Sequence, residues 1–250
     1  MAYESFLSAL LSDSPTCLWL ANEGSGAVAA DHQGNHSGTY TGSGFSYLSV
    51  ALTAGLPSLS ITNATSDNVV ADHTDFTPQQ AFSYEILLKT PSSITVSYQS
   101  TIDKHNSSAG YLLATEDVDS GILFQFGDGT VAAGNGYVIG AAGWPSASTV
   151  YLIVITYDHA GHQKIYLDGS EVSYTSTTNH VGSSPPNYTG AMGIGGDGGA
   201  TRTCSGWLIS ATAFYKSVLS SSRVLAHYNA FIAAKAPRAS ANNFQDPALV

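Results

Sequence analysis

Charge is what this sequence has least of. Asp, Glu, Lys and Arg together make up 10% of its 250 residues, against about a quarter in an ordinary soluble chain. The few charges are also lopsided, 18 acidic against 8 basic, for a formal net charge of −10. A chain so poor in cations has no basic face for a phosphate backbone, which excludes non-specific nucleic-acid binding. Cysteine is nearly missing too. Cys17 and Cys204 stand alone and far apart, so no zinc-type spacing exists around them. A bridge between the terminal segments and a pair of buried free thiols both stay open. No apolar run reaches the length of about 20 residues that crosses a bilayer, so no membrane partner is expected. Met1 to Leu11 has no basic start and is interrupted by Glu4, so no signal peptide is expected either.

Ser, Thr, Gly, Asn and Tyr take the place of the absent charges. Such a surface suits an all-β protein outside the cell or on a particle. An exported-looking surface without an export signal points to a chain that leaves its host in a virus particle, or to a secreted protein whose signal has been removed.

Periodicity supplies the elements. Phe6, Leu7, Leu10 and Leu11 are spaced as one face of a short helix, ended by Ser12-Asp13-Ser14-Pro15. Thr16 to Leu20 reads as a strand holding Trp19. Phe82, Tyr84, Ile86 and Leu88 alternate with Ser83, Glu85 and Lys89, the pattern of a strand. Tyr151 to Tyr157 is apolar on both faces, as in a central covered strand. Asp158 to Gly161 then turns the chain, Lys164 to Leu167 resumes it, and Asp168-Gly169 is a hairpin dipeptide. Ile94 to Tyr98, Gly110 to Ala114, Ile122 to Phe126 and Val131 to Gly143 are further extended runs, and Ser205 to Tyr215 reads as a strand pair. Asp128-Gly129 is a second hairpin signal, and Ser173 to Pro186 reads as a loop. The period changes once more near the end. Val224, Leu225, Tyr228, Phe231 and Ile232 mark a helix, with Ser220 as N-cap and Leu219 and Val224 as a staple. About a dozen short strands with no linker and no repeat predict one all-β sandwich.

The order of these motifs resembles the laminin G-like domains of the concanavalin A-like lectin/glucanase superfamily. The residues that carry the likeness run from Ser14-Pro-Thr-Cys-Leu-Trp-Leu-Ala-Asn-Glu-Gly-Ser-Gly26 through Ala30-Asp-His-Gln-Gly-Asn-His-Ser-Gly-Thr-Tyr-Thr-Gly42 and Phe82-Ser-Tyr-Glu-Ile-Leu-Leu-Lys89. They continue with Ile155-Thr-Tyr-Asp158, Ile165-Tyr-Leu-Asp-Gly169, Gly206-Trp-Leu-Ile-Ser-Ala-Thr-Ala-Phe-Tyr215, Leu219-Ser220 and Ala226-His-Tyr-Asn-Ala230. Together they span residues 14–230. The resemblance implies a jelly-roll β-sandwich of two antiparallel sheets, flanked here by a short N-terminal helix and one C-terminal helix. It does not by itself imply a function. Arg223 and Ser210 depart from it, where such domains often carry an acid, and residues 91–148 match only loosely. A narrower likeness is to phage structural proteins that open, as Met1 to Trp19 does, with a short helix, Asp-Ser-Pro and an aromatic strand.

Each candidate site has a plain structural alternative beside it. Glycosidases of this superfamily set paired acids on one strand. Here the matching strand offers only Glu85, and no Glu-x-Asp-x-x-Glu pattern occurs, so no catalytic residue is named and no enzyme is expected. His32 and His36 flank Gly34-Asn35, a loop rather than a helix, which weakens a zinc reading. His159 and His162 are expected at a solvent-facing turn. Calcium at the sandwich rim, as in some relatives, would draw on Asp31, Asn35 and Asp197; the alternative is that Asp31 and Asn35 only hold a tight turn. Carbohydrate binding needs exposed aromatic rings, and Trp144, Tyr174 and Tyr188 are the candidates. The alternative for Trp144 is an edge residue packed on a neighbouring subunit. The Asn-x-Ser/Thr sequences at Asn35, Asn63, Asn106 and Asn187 are taken as chance.

The expectation is therefore a non-enzymatic phage virion protein, a capsid decoration or a tail or fibre component, with a lectin-like domain able to meet host glycans. Its partners would be other virion proteins and copies of itself. Residues 1–13 would form an attachment helix, 14–236 the domain and 237–250 an attachment tail. No cofactor is required, with calcium kept open. A secreted bacterial carbohydrate-binding module is the alternative, and a glycoside hydrolase ranks last.

Overall fold

A computed structural model describes residues 3–53, 55–62, 67–70, 73–94, 98–106, 109–115, 121–127, 136–178, 185, 187–197 and 202–235. The chain begins with α1 (Tyr3–Ser12), then β1 (Cys17–Trp19), β2 (Val28–Ala29), β3 (Gly38–Thr41), β4 (Phe45–Thr53), β5 (Leu56–Ile61) and β6 (Asp67–Val70). A 3-10 turn at Thr74–Phe76 leads to β7 (Phe82–Lys89), β8 (Ser100–Asn106), β9 (Ala109–Thr115), β10 (Ile122–Phe126) and β11 (Tyr137–Gly140). The rest is β12 (Val150–Tyr157), β13 (Gln163–Leu167), β14 (Ser170–Glu171), β15 (Tyr174–Thr178), β16 (Met192–Ile194), β17 (Leu208–Tyr215) and α2 (Ser221–Lys235).

The strands form two antiparallel sheets. The first has eight strands in the order β14-β13-β12-β7-β17-β5-β4, with β1 also on β17; the second has nine, β15-β11-β10-β9-β8-β16-β6-β3-β2. The hairpin β12–β13 pairs Ile155 with Ile165, and β7 covers the other edge of β12, pairing Ile153 with Ile86. Alternation then sorts the side chains. Tyr151, Ile153, Ile155 and Tyr157 face inward to the core between the sheets, with Phe82, Tyr84, Phe124, Phe126, Trp207 and Phe214. Leu152 and Val154 face outward into a second core, where Phe6 and Leu10 of α1 and Val224 and Phe231 of α2 cover the eight-stranded sheet. Asp168 and Gly169 both take positive φ, 51° and 83°, the requirement of a tight primed turn. A side chain in place of Gly169 would meet Tyr228 Cβ at 3.0 Å.

The second helix corrects the sequence reading of its buried face. The face of α2 turned to the sheet is Val224, His227, Phe231 and Ala234, while Leu225 and Ile232 are exposed. The buried stripe thus follows a strict three-and-four spacing that takes in a histidine. Ser220 does cap α2, accepting from the Arg223 N–H at 3.3 Å, and Leu219 and Val224 are both buried. The apolar face of α1 is turned inward on its own sheet. Phe6 and Leu10 are 1% exposed, and the Phe6 ring meets Phe231 at 5.9 Å. Tail residues 237–250 lie outside the described residues, as do the Asp128-Gly129 signal and most of Ile94 to Tyr98 and Val131 to Gly136.

Other local readings shift for visible reasons. Tyr174–Thr178, read as loop, is strand β15 on the edge of the nine-stranded sheet, where Ser, Thr and Tyr suit a half-exposed ladder. Ser205 to Tyr215 gives one strand, broken by a bulge between Ile209 and Ala211. Ser210 sits at that bulge and donates to the Pro57 carbonyl at 2.7 Å. Cys17 and Cys204 are free and buried, and burial pushes both thiols well up. Among the described residues no helix is long and apolar enough to cross a membrane.

Candidate functional site

With helices over one sheet, the outer face of the nine-stranded sheet is where side chains are left to meet a ligand. Register defines a row across it. Asp103 on β8 pairs with Leu112 on β9, Leu112 with Gln125 on β10, Gln125 with Tyr137 on β11, and Tyr137 with Thr178 on β15. Residues paired directly share a face. The next row is Ala114, Leu123, Ile139 and Ser176. Leu112, Ala114 and Leu123 form a small apolar cluster of their own, with Tyr98, Tyr137 and Ile139 packed over it. The buried Leu112, Ala114 and Leu123 make the floor of a surface, with the half-buried Tyr98 and Tyr137 rings on top.

A polar group borders that floor. The Asp103 carboxylate is 2% exposed. Its Oδ2 accepts from Ser100 Oγ at 2.9 Å, and its Oδ1 accepts from the His105 N–H at 3.2 Å and lies 3.1 Å from His105 Nδ1. Arg202 reaches Asp103 Oδ2 at 3.8 Å and lays its guanidinium over the Tyr98 ring, 5.5 Å from the centroid. Arg202 keeps 36% of its side chain exposed, so its remaining N–H donors can face a ligand. Ser176 Oγ donates to Tyr137 Oη at 3.3 Å, steadying that ring. Aromatic faces for ring stacking, an arginine fork and hydroxyl groups stand together, the combination that polar ring-shaped ligands require.

The residues singled out from sequence lie elsewhere. Trp144, expected to be exposed, is 4% exposed and packs between Tyr151 and Trp207 at 5.7 and 5.9 Å. The loop after β11 folds its indole into the core, so it offers no stacking surface. Tyr174 is half-buried; its hydroxyl accepts from the Ile165 N–H at 3.0 Å and donates to Glu171 at 3.1 Å. Burial pushes that phenol well up, and it acts as a brace between β13 and β15. Tyr188 is half-buried, and its carbonyl accepts from Lys104 Nζ at 2.8 Å.

The Asp31 carboxylate is engaged by the backbone of its own loop. Oδ1 accepts from the Leu18 and Gln33 N–H groups at 2.8 and 3.0 Å, and Oδ2 from those of Asn35 and His36 at 2.9 Å each. Four donors match the roughly four acceptor sites of one carboxylate, the arrangement of a tight turn. Asn35 Nδ2 donates to the Thr16 carbonyl at 3.1 Å. Asp197 is half-buried in the turn after β16. His159 and His162 are exposed at their turn, as expected, and His32 is exposed as well.

Glu85 is 2% exposed beneath α2, bonded to Tyr215 Oη at 3.2 Å and His227 Nδ1 at 2.8 Å. The cavity between the sheets, lined by Trp19, Tyr40, Ile61, Ile194 and Thr212, holds about 20 Å³, room for a water rather than a sugar ring. Sequence reasoning missed the outer-face group. Its one usable signal was the alternation in β8 to β11, which sets Asp103, Leu112, Gln125 and Tyr137 on the same side once the strands are paired.

Comparison with known proteins agrees with this architecture. A laminin G family model, described as the Concanavalin A-like lectin/glucanases superfamily, matches residues 63–225, more than half the chain. No curated protein sequence matches the chain. Among solved structures, domain 4 of AbnA, a GH43 extracellular arabinanase from Geobacillus stearothermophilus in complex with arabinotriose, superposes with a TM-score of 0.63 at 15% identity, over 86% of this chain and 98% of that one. The botulinum neurotoxin serotype D ligand-binding domain in complex with N-acetylneuraminic acid gives 0.64 at 12% identity, over 90% of this chain and 52% of that one. A Trypanosoma rangeli sialidase in complex with sialic acid gives 0.64 at 13% identity, over 91% and 37%. The chain spans about a third of the length of such sialidases. At these identities the likeness shows the fold.

Proposed function

The chain belongs to the Concanavalin A-like lectin/glucanases superfamily, and from that premise we propose that it is a non-catalytic glycan-binding domain. The ligand would lie on the outer face of the nine-stranded sheet, against Tyr98, Tyr137 and Arg202. The observation that carries this reading is the shared floor under Tyr98 and Tyr137, with the half-exposed Arg202 guanidinium beside it. The three similar structures each hold a saccharide, arabinotriose in one, N-acetylneuraminic acid in another and sialic acid in the sialidase, which supports looking for a carbohydrate here. The non-catalytic part of the proposal rests on Glu85. The strand that would carry paired acids has a single carboxylate, covered by α2 and bonded to Tyr215 and His227.

A glycan array that includes neutral and sialylated oligosaccharides tests the proposal. Saturable binding that is lost in Tyr137→Ala and Arg202→Ala supports it, and binding untouched by both moves the site elsewhere. Release of reducing sugar from any bound glycan, abolished in Glu85→Gln, would overturn the non-catalytic reading.

We also propose that the domain serves on a phage particle, beside other virion proteins and copies of itself. What supports this is the charge-poor surface rich in Ser, Thr, Gly and Asn, and the N-terminal likeness of Met1 to Trp19 to phage structural proteins. Labelling the chain in purified particles tests it; a chain found only free in culture medium favours a secreted binding module instead.

A further inference from the structure

His36, His73 and Asp75 come together at the rim from two segments far apart in sequence. His36 Nε2 lies 3.1 Å from Asp75 Oδ2, and His73 Nδ1 lies 3.2 Å from the same oxygen. The two imidazole rings are 4.4 Å apart, and one ligand atom from each of the three residues falls within 4.8 Å of the others. From this convergence we propose a binding site for a zinc-class divalent ion, with His36, His73 and Asp75 as its protein ligands and solvent in the remaining position.

Three features of the geometry argue for an ion. The first is spacing. Zinc bonds of about 2.0–2.1 Å to nitrogen or oxygen place neighbouring tetrahedral ligands about 3.3 Å apart. The 3.1 and 3.2 Å separations to Asp75 Oδ2 are already close to that edge, and only the two ring nitrogens have to draw together. The second is a conflict at His73. Its Nδ1 accepts from the Asp75 N–H at 3.1 Å, which needs a lone pair there, while Oδ2 beside it is an acceptor and needs a proton. One nitrogen cannot serve both, and a cation that took the Nδ1 lone pair, in exchange for the Asp75 N–H bond, would remove the clash with Oδ2. The third is that the ligands are held before any ion arrives. Asp31 Oδ2 accepts the His36 N–H, and Trp19 Nε1 donates to the His36 carbonyl at 2.9 Å. Phe76, fully buried between His36 and Phe214, anchors the turn that carries Asp75. Lys216 Nζ holds Asp75 Oδ1 at 2.6 Å and leaves Oδ2 to the ion, the kind of outer contact that orients a metal-bound carboxylate.

Donor chemistry decides the class of ion. Two imidazoles and one carboxylate suit zinc, cobalt, nickel or copper, whereas calcium asks for six or more oxygens. The His73 side chain is 48% exposed against 13% for His36 and 19% for Asp75, so the ion would enter from the His73 side and keep solvent there. A bound ion would tie the 31–37 loop to the Thr74–Phe76 turn. This proposal is independent of where a glycan binds.

The test uses the full chain without any affinity tag, titrated with zinc chloride by calorimetry and with cobalt chloride by visible absorption. The expected result is one equivalent of zinc, undisturbed by millimolar calcium, with cobalt giving the intense d–d bands of a four-coordinate site. His73→Gln, at an exposed side chain, and Asp75→Asn should each weaken zinc by more than about tenfold, the scale on which even outer partners of a metal act. No saturable zinc binding would overturn the proposal. So would zinc binding of equal strength in the wild type and both variants, which would place the ion on other histidines.

Discussion

Glu85 and His227 face each other across the gap between β7 and α2, with Glu85 Oε2 2.8 Å from His227 Nδ1 and both side chains buried. The other ring nitrogen lies 2.7 Å from Asp13 Oδ2, and Arg223 donates to both oxygens of Asp13 at 3.0 and 2.9 Å. One histidine thus joins the end of α1, the helix α2 and the sheet beneath them. Arg223, which departs from the family pattern at the third position of α2, is the residue that closes this clasp on the N-terminal segment.

The clasp makes stability depend on pH. Burial alone would push the His227 imidazole down, but the bond and charge of Glu85 and the charge of Asp13 outweigh it, and its pKa is held above the ordinary value of 6.5. A group raised on folding contributes stability fully below its unfolded pKa, and that contribution is lost as pH rises through the folded one. Chemical denaturation of the wild type and His227→Gln across pH 5.5–8.5, about the span in which histidine titrates, should show the widest gap at the acid end. The gap should be about 3–5 kcal/mol where the ion pair is intact, the cost of leaving one buried charge unpaired. A gap that widens with rising pH would contradict the assignment.

Phe6 tests whether α1 belongs to the fold. Its ring is 1% exposed against Phe231 and the sheet, so Phe6→Ala should cost about 3–5 kcal/mol in urea unfolding. A loss below about 1 kcal/mol, the usual size of a surface change, would favour α1 as an attachment segment.

Asp31 should behave as a keystone and not as a calcium ligand. Asp31→Asn replaces one acceptor oxygen with an NH₂ aimed at backbone N–H donors, and should cost about 2–4 kcal/mol, as when buried donors are left unmet. Millimolar calcium, or its chelation, should leave the melting temperature of the wild type unchanged. A calcium-dependent rise that Asp31→Asn abolishes would show that the loop rearranges to bind the ion.

The sandwich was legible in the sequence because alternation reports burial directly. Tyr151 to Tyr157 showed two apolar faces and proved to lie between β7 and β13; Ser220 and Leu219 announced α2 by their cap and staple. The sites were less legible, for three physical reasons. Trp144 sits in a glycine-rich loop, which reads as exposed, yet a loop can fold a large ring inward when a core lies beneath it. His227 is polar by composition and buried by pairing, and no period of apolar residues can register such a position. His36 and His73 are separated by a sheet crossing, so their approach depends on β3 pairing with β6 in the register of Thr39 and Val69, information that spacing does not hold. Asp103 and Tyr137 were hidden in the same way, each unremarkable alone and joined only by the ladder between them.

The central claim, that a glycan lies on the outer face of the nine-stranded sheet, is tested most directly by calorimetric titration of one array-selected oligosaccharide into three proteins. These are the wild type, Tyr137→Ala and Trp144→Phe. Removing a stacking ring should cost about 1–3 kcal/mol, by analogy with ring stacking in other binding grooves, or about fivefold to a hundredfold in affinity for Tyr137→Ala. Trp144→Phe, changed inside the core, should bind as the wild type does. The opposite pattern, with affinity lost in Trp144→Phe and kept in Tyr137→Ala, would contradict the assignment.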